Sequence, residues 1–159
     1  EIRDIKLDPG IYNTTSQSIS FFTYSSRPVY GRAYYIWGEE YDGKRNYLSL
    51  SNSLRISNNF NIYLSYAHTK ITLKNGEAKS NLASGRFSYS FNPQLYVKYY
   101  LQWNDADEKI VGNFLLDYIF KPKSHLYLVY NENRYSNMPL LKSIRDRALL
   151  IKFIYLWNI

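Results

Sequence analysis

The chain has 159 residues, enough for one domain, and its lack of cysteine excludes disulfides, thiolate metal sites and a cysteine nucleophile. The net charge of +7 is carried by basic residues scattered singly along the chain, which argues against nucleic acid as a partner. Mean hydropathy is −0.43, and no stretch approaches the ~18 consecutive apolar residues of a membrane helix. A β-barrel escapes that test, because only alternate residues of its strands face lipid.

Aromatic residues make up 18% of the chain, with 18 Tyr against 8 Phe and 3 Trp. An excess led by tyrosine suits side chains half in hydrocarbon and half in water, as in the two aromatic girdles of a membrane barrel; a large soluble core is the other source. The opening Glu1-Ile2-Arg3-Asp4 lacks the basic and apolar regions of a signal peptide. An exported protein has then lost its leader, or the sequence is a fragment.

Residues 1–16 read either as loop or, over Ile2 to Leu7, as part of an additional strand. From Gln17 onward the chain reads as nine strands separated by turn signals, at 17–25, 29–40, 46–56, 60–70, 80–91, 95–104, 109–120, 125–133 and 147–158. Helical periodicity is nowhere sustained. In the fourth strand Phe60, Ile62, Leu64 and Tyr66 share one face against Asn61, Tyr63, Ser65 and Ala67. The fifth sets Phe87, Tyr89 and Phe91 against Arg86, Ser88 and Ser90. The sixth sets Leu95, Val97, Tyr99, Leu101 and Trp103 against Tyr96, Lys98, Tyr100, Gln102 and Asn104, and in the seventh Ile110, Phe114, Leu116, Tyr118 and Phe120 oppose Lys109, Asn113 and Asp117. Most strands fall near the ~9–11 residues that cross a bilayer at a tilt of ~45°, longer than the ~5–6 typical of globular strands.

The turns suggest two sides. Short ones at 26–28, 57–59, 92–94 and 121–124 would lie on the periplasmic side, with longer connections around 70–79 and 134–146, plus 41–45 and 105–108, opposite. Leu149, Ile151, Phe153, Tyr155, Trp157 and Ile159 form an apolar stripe to the end of the sequence. It resembles the terminal signal by which outer-membrane barrels are recognised for insertion, departing from it in the non-aromatic Ile159.

The segments FSYSFNPQL at 87–95, LQWN at 101–104 and YLVYNEN at 127–133, with YDGKR at 41–45, LKNGE at 73–77 and RALLIKFIY at 147–155, resemble one family in particular. It is the C-terminal barrel region of a Bacteroidota family of unknown function whose members carry an N-terminal module similar to family 9 carbohydrate-binding domains. The resemblance covers roughly residues 29–159. It implies an outer-membrane barrel, no established activity and a longer chain; sugar binding carries over to no residue here, because the module is not in this sequence.

Little points to catalysis. The two histidines, His68 and His125, lie on different strands without metal-ligand spacing. Glu39, Glu40 and Asp42 form one acidic cluster and Asp105, Asp107 and Glu108 another; either suits a divalent cation or a basic partner, and solvated loop charge is the plainer reading. No Gly-x-Ser-x-Gly elbow or phosphate-binding glycine loop occurs. A hydrolase pair of Ser136 or Ser143 with a distant histidine has no support in spacing. No catalytic, cofactor-binding or metal residues are assigned, and no cofactor is expected.

Placing the bulky face toward lipid leaves Arg32, Arg55, Arg86, Lys98, Lys109, Asp117 and Lys152 inside. Such a lumen favours anions, unless its charges form a hydrated ladder with Asp117 and loop acids.

The expectation is a single all-β domain over 1–159, an antiparallel up-and-down transmembrane β-barrel or the C-terminal strands of a larger one, with about eight to ten strands in this chain. An odd count of nine fits a fragment or a tenth strand from Ile2 to Leu7. The protein would sit in a bacterial outer membrane as a channel, scaffold or anchor without catalytic activity. Its partners would be outer-membrane lipid and either other outer-membrane proteins or the missing remainder of a larger barrel. A soluble ligand-binding barrel or sandwich, and an outer-membrane enzyme on the same fold, are the alternatives.

Overall fold

Strict apolar–polar alternation favours the pleated chain over the helix, because only a period of two puts one kind of side chain on each face. The computed structural model describes residues 5, 9–138 and 143–157, and no helix occurs among them. They form nine strands: β1 (Ser16–Phe22), β2 (Val29–Glu40), β3 (Gly43–Arg55), β4 (Phe60–Leu73), β5 (Gly76–Asn92), β6 (Leu95–Asn104), β7 (Lys109–Lys121), β8 (Ser124–Tyr135) and β9 (Ile144–Ile154). Each pairs antiparallel with the next, giving one up-and-down sheet in sequence order.

The sheet is not closed, with β1 and β9 at its edges, an arrangement consistent with a partial barrel. Because every neighbouring pair is antiparallel, β1 and β9 run in the same direction. Closing the ring with antiparallel pairs alone would therefore take an odd number of further strands. Of the segment expected as a tenth strand only Ile5 is among the described residues. It forms an isolated bridge and packs beside Gly76, at the β4–β5 hairpin.

Polar side chains make the turns. Asn92 Oδ1 accepts from the amides of Gln94 (2.8 Å) and Leu95 (2.9 Å), holding the chain around Pro93, and Ser57 Oγ accepts from Asn59 (3.2 Å) and Phe60 (3.1 Å). Tyr41, Glu108 and Lys123 take the left-handed conformation with φ of 53°, 51° and 62°, and each sits in a turn.

The expected contrast of short turns on one side and long loops on the other is not what the sheet has. β4 and β5 continue until only Lys74 and Asn75 separate them, so the long connection expected around 70–79 is a two-residue turn. β2 and β3 likewise leave only Tyr41 and Asp42. The physical reason lies in cross-strand charge. Glu77 reaches across the hairpin to Lys70 at 2.8 Å and along its own strand to Lys79 at 2.5 Å, bridging two directly opposed lysines, so residues that read as a solvated loop pair as strand. The connection after β8 is the longest on that side, with 139–142 outside the described residues.

The sheet has almost no apolar core. Among the described residues only Ile5 and Leu73 are buried hydrophobics. The chain exposes 11580 Å², whereas a compact monomer of its mass would expose about 8,300 Å².

Candidate functional site

Partners in an antiparallel register project to the same side, so the pairings trace each face across the sheet. One face runs through Tyr30, Ser53, Tyr63, Arg86, Tyr100, Asn113, Asn131 and Ala148 in a single cross-strand row. The neighbouring rows add Arg55, Asn61, Ser88 and Lys98 on one side and Arg32, Ser51, Ser65, Ser84 and Gln102 on the other. All seven charged residues expected together, from Arg32 to Lys152, fall on this polar face. The register shifts at Ser90/Asn92, Ile119/Lys121 and Asn133/Arg134 lie close to strand ends and leave the parity of the strand centres intact.

The opposite face is apolar. One of its rows is Val29, Leu54, Ile62, Phe87, Tyr99, Phe114, Tyr130 and Leu149. The next contains Gly31, Gly85 and Gly112. Phe87 lies over Gly85, 3.3 Å from where a Cβ would stand, and the Tyr99 hydroxyl comes within 3.4 Å of the same point on Gly112. Among the described residues of β2 to β7, every Lys, Arg, Asp and Glu on this face lies within four residues of a turn, while Glu132 and Arg147 continue the row of Gly85 and Gly112 into β8 and β9. Between those margins the apolar run is nine residues long in β6 (Leu95 to Trp103) and eleven in β7 (Ile110 to Phe120).

The exposures are inverted relative to a water-soluble sheet. In β6 the apolar Leu101 and Trp103 are exposed (39% and 37%), while Lys98, Tyr100 and Gln102 on the other face are partly buried. In β5 Phe87, Tyr89 and Phe91 are exposed, while Ser88 and Ser90 are partly buried. Aromatic rings gather at one margin of the apolar face. Phe120 stacks on Phe153 (5.2 Å) and Tyr155 (6.3 Å), and Tyr89 meets Phe60 (5.9 Å) and Phe91 (4.7 Å) edge-on. At the other end Tyr35 stacks on Trp37 at 5.4 Å.

On the polar face Arg86 sits between two rings, 5.8 Å from the centroid of Tyr63 and 5.9 Å from that of Tyr100. Asn113 Nδ2 donates to Asn131 Oδ1 (2.8 Å), and the hydroxyls of Ser65 and Ser84 share a hydrogen bond of 2.7 Å. Asp117 meets His125 Nδ1 at 2.8 Å. The sequence assigned Asp117 to the polar face but gave no sign of this pairing, which depends on the short β7–β8 turn.

The remaining groups with chemical potential are dispersed. His68 Nδ1 bonds Asn81 Oδ1 at 2.7 Å, far in sequence from His125, which opens β8 while Ser136 follows the other end of that strand. Glu39 and Glu40 project to opposite faces. Asp105 accepts from the Asn81 amide at 2.6 Å, Asp107 from Asn104 Nδ2 at 2.7 Å and Glu108 from Asn137 Nδ2 at 2.6 Å. The second acidic cluster is thus spent on asparagine hydrogen bonds, and no group of three metal-binding side chains forms among the described residues. No protein-family model, curated protein or solved structure matches the chain.

Proposed function

We propose that the chain is a membrane-embedded part of a bacterial outer-membrane β-barrel, serving as a channel, scaffold or anchor and not catalysing a reaction itself. One observation carries this reading: the face with the large apolar side chains is the more exposed one, and from β2 to β7 it bears charge only near the strand ends. In water that arrangement leaves nearly all the apolar side chains unburied. In a bilayer the same face is solvated by lipid and the polar face by water. The apolar runs of nine and eleven residues support it, since a strand tilted ~45° needs about 9–11 residues to cross. So does the placing of charge near the turns, because Lys or Arg at mid-membrane on the lipid side costs ~2–4 kcal/mol. The resemblance to the Bacteroidota barrel family supports the same location.

Unpaired strand edges are not tolerated in hydrocarbon. In this reading β1 and β9 are therefore joined by an odd number of strands from elsewhere in the polypeptide or from a partner, giving the even total usual for bacterial barrels. The test is gel mobility of the native protein from isolated outer membranes, with and without boiling. A heat-dependent shift is expected from a closed, detergent-resistant barrel. Recovery in the soluble fraction with no shift would overturn the proposal in favour of a soluble ligand-binding barrel.

A further inference from the structure

We infer that the polar face is selective for small anionic solutes, with Arg86 and Lys98 at the centre of the path they follow. This rests on the barrel reading, in which that face lines the lumen. The balance of charge is one-sided. From β3 to β6 no Asp or Glu occupies the polar face. The three carboxylates it carries on other strands already have partners: Glu40 faces Arg45 at 3.9 Å, Asp117 bonds His125 at 2.8 Å, and Asp146 accepts from Asn133 Nδ2 at 2.7 Å. Among the described residues no carboxylate is within ion-pair distance of Arg32, Arg55, Arg86, Lys98, Lys109 or Lys152. Direct ion pairs therefore do not build a ladder of these charges with Asp117 and the loop acids among the described residues.

Arg86 is held without being neutralised. Tyr63 and Tyr100 flank its guanidinium, and ring faces attract a cation while leaving its charge in place. Lys98 stands diagonally across on the next strand, where two cations repel unless anions screen them. Two hollows in this face meet at Arg86. One, of about 470 Å³, adds Arg55, Asn61 and Ser88; the other, of about 410 Å³, adds Lys98, Tyr100 and Asn113. A passage lined by one sign of charge concentrates the opposite ion and repels its own. The neighbouring serines and asparagines supply hydrogen-bonding groups that an anion meets in place of lost water.

The native protein, purified in detergent and reconstituted in planar bilayers, tests this by its reversal potential across a potassium chloride gradient, repeated with inorganic phosphate replacing chloride. The expected sign is that of anion preference. Arg86→Glu with Lys98→Glu should move the potential toward or past zero. Cation preference, no preference, or a wild-type preference untouched by these substitutions would overturn the inference. Where the double variant lacks the heat-dependent mobility shift, Lys98→Glu alone is measured and should move the potential in the same direction. A barrel that shows that shift but conducts nothing overturns anion passage and leaves the barrel reading standing; a native protein without the shift brings down the barrel reading itself.

Discussion

The two faces of this sheet are made by the same strands, yet they follow opposite rules. On one, Leu64, Leu101 and Trp103 are exposed and charge from β2 to β7 stays near the turns; on the other, Arg86 stands in mid-strand among tyrosines, serines and asparagines. A soluble sheet buries its apolar face and wets its polar one. Among the described residues no layer covers the apolar face here, so what solvates each face, rather than what packs inside, decides the fold.

The two faces should differ most in their response to the same added charge. Leu64→Arg and Leu116→Arg place a guanidinium at the centre of the apolar run, which costs ~2–4 kcal/mol each where that face meets lipid as proposed. Loss of the heat-shifted band in outer membranes is expected for both. Ser88→Arg and Asn113→Arg, on the polar face, should retain that band; four variants behaving alike would remove the distinction between the faces. A smaller effect is expected where both faces depend on one turn. Asn92→Ala removes the acceptor for the amides of Gln94 and Leu95 where β6 begins, which should cost about 1 kcal/mol of stability, read as a lower midpoint in denaturant refolding into detergent.

The smallest effect concerns the charged margin of the apolar face. Glu77, two residues from the β4–β5 turn and beyond the apolar run, has its pKa lowered to about 2 by hydrogen bonds from Lys70 and then Lys79. A carboxylate depressed on folding stabilises above its unfolded pKa and loses that contribution as pH falls through its folded one. Acidification from about pH 4.5 toward 2 should therefore loosen this hairpin, and Glu77→Gln should abolish that part of the pH dependence. Solvent screening at so exposed a site keeps the change slight. Amide exchange in residues 70–79 would measure it.

Much of this arrangement was legible in the sequence, for a physical reason. Alternation with a period of two survives as long as no register shift falls in mid-strand, so the shared face of Arg32, Arg55, Arg86, Lys98, Lys109, Asp117 and Lys152 followed from parity alone. β2 and β6 begin and end where expected, because Pro28, Pro93 and acidic turn residues border them. The β4–β5 hairpin was hidden, since Lys70, Lys74, Asn75, Glu77 and Lys79 have the composition of a loop and only their pairing makes them strand. The confinement of Arg86 between Tyr63 and Tyr100 was hidden too. It depends on which residues face each other across three strands, and that register is set by turn lengths the sequence overestimated.

The absence of cysteine from these 159 residues makes the environment of each face directly measurable. Single cysteines at Leu64, Leu101 and Leu116 on one face, and at Ser65, Ser88 and Asn113 on the other, would be exposed to a water-soluble maleimide in intact outer membranes and again after denaturation. Protection of the first three and labelling of the second three are expected in membranes, with all six reacting once unfolded. Equal labelling of both sets in the membrane fraction, or labelling of the apolar set alone, would contradict that expectation.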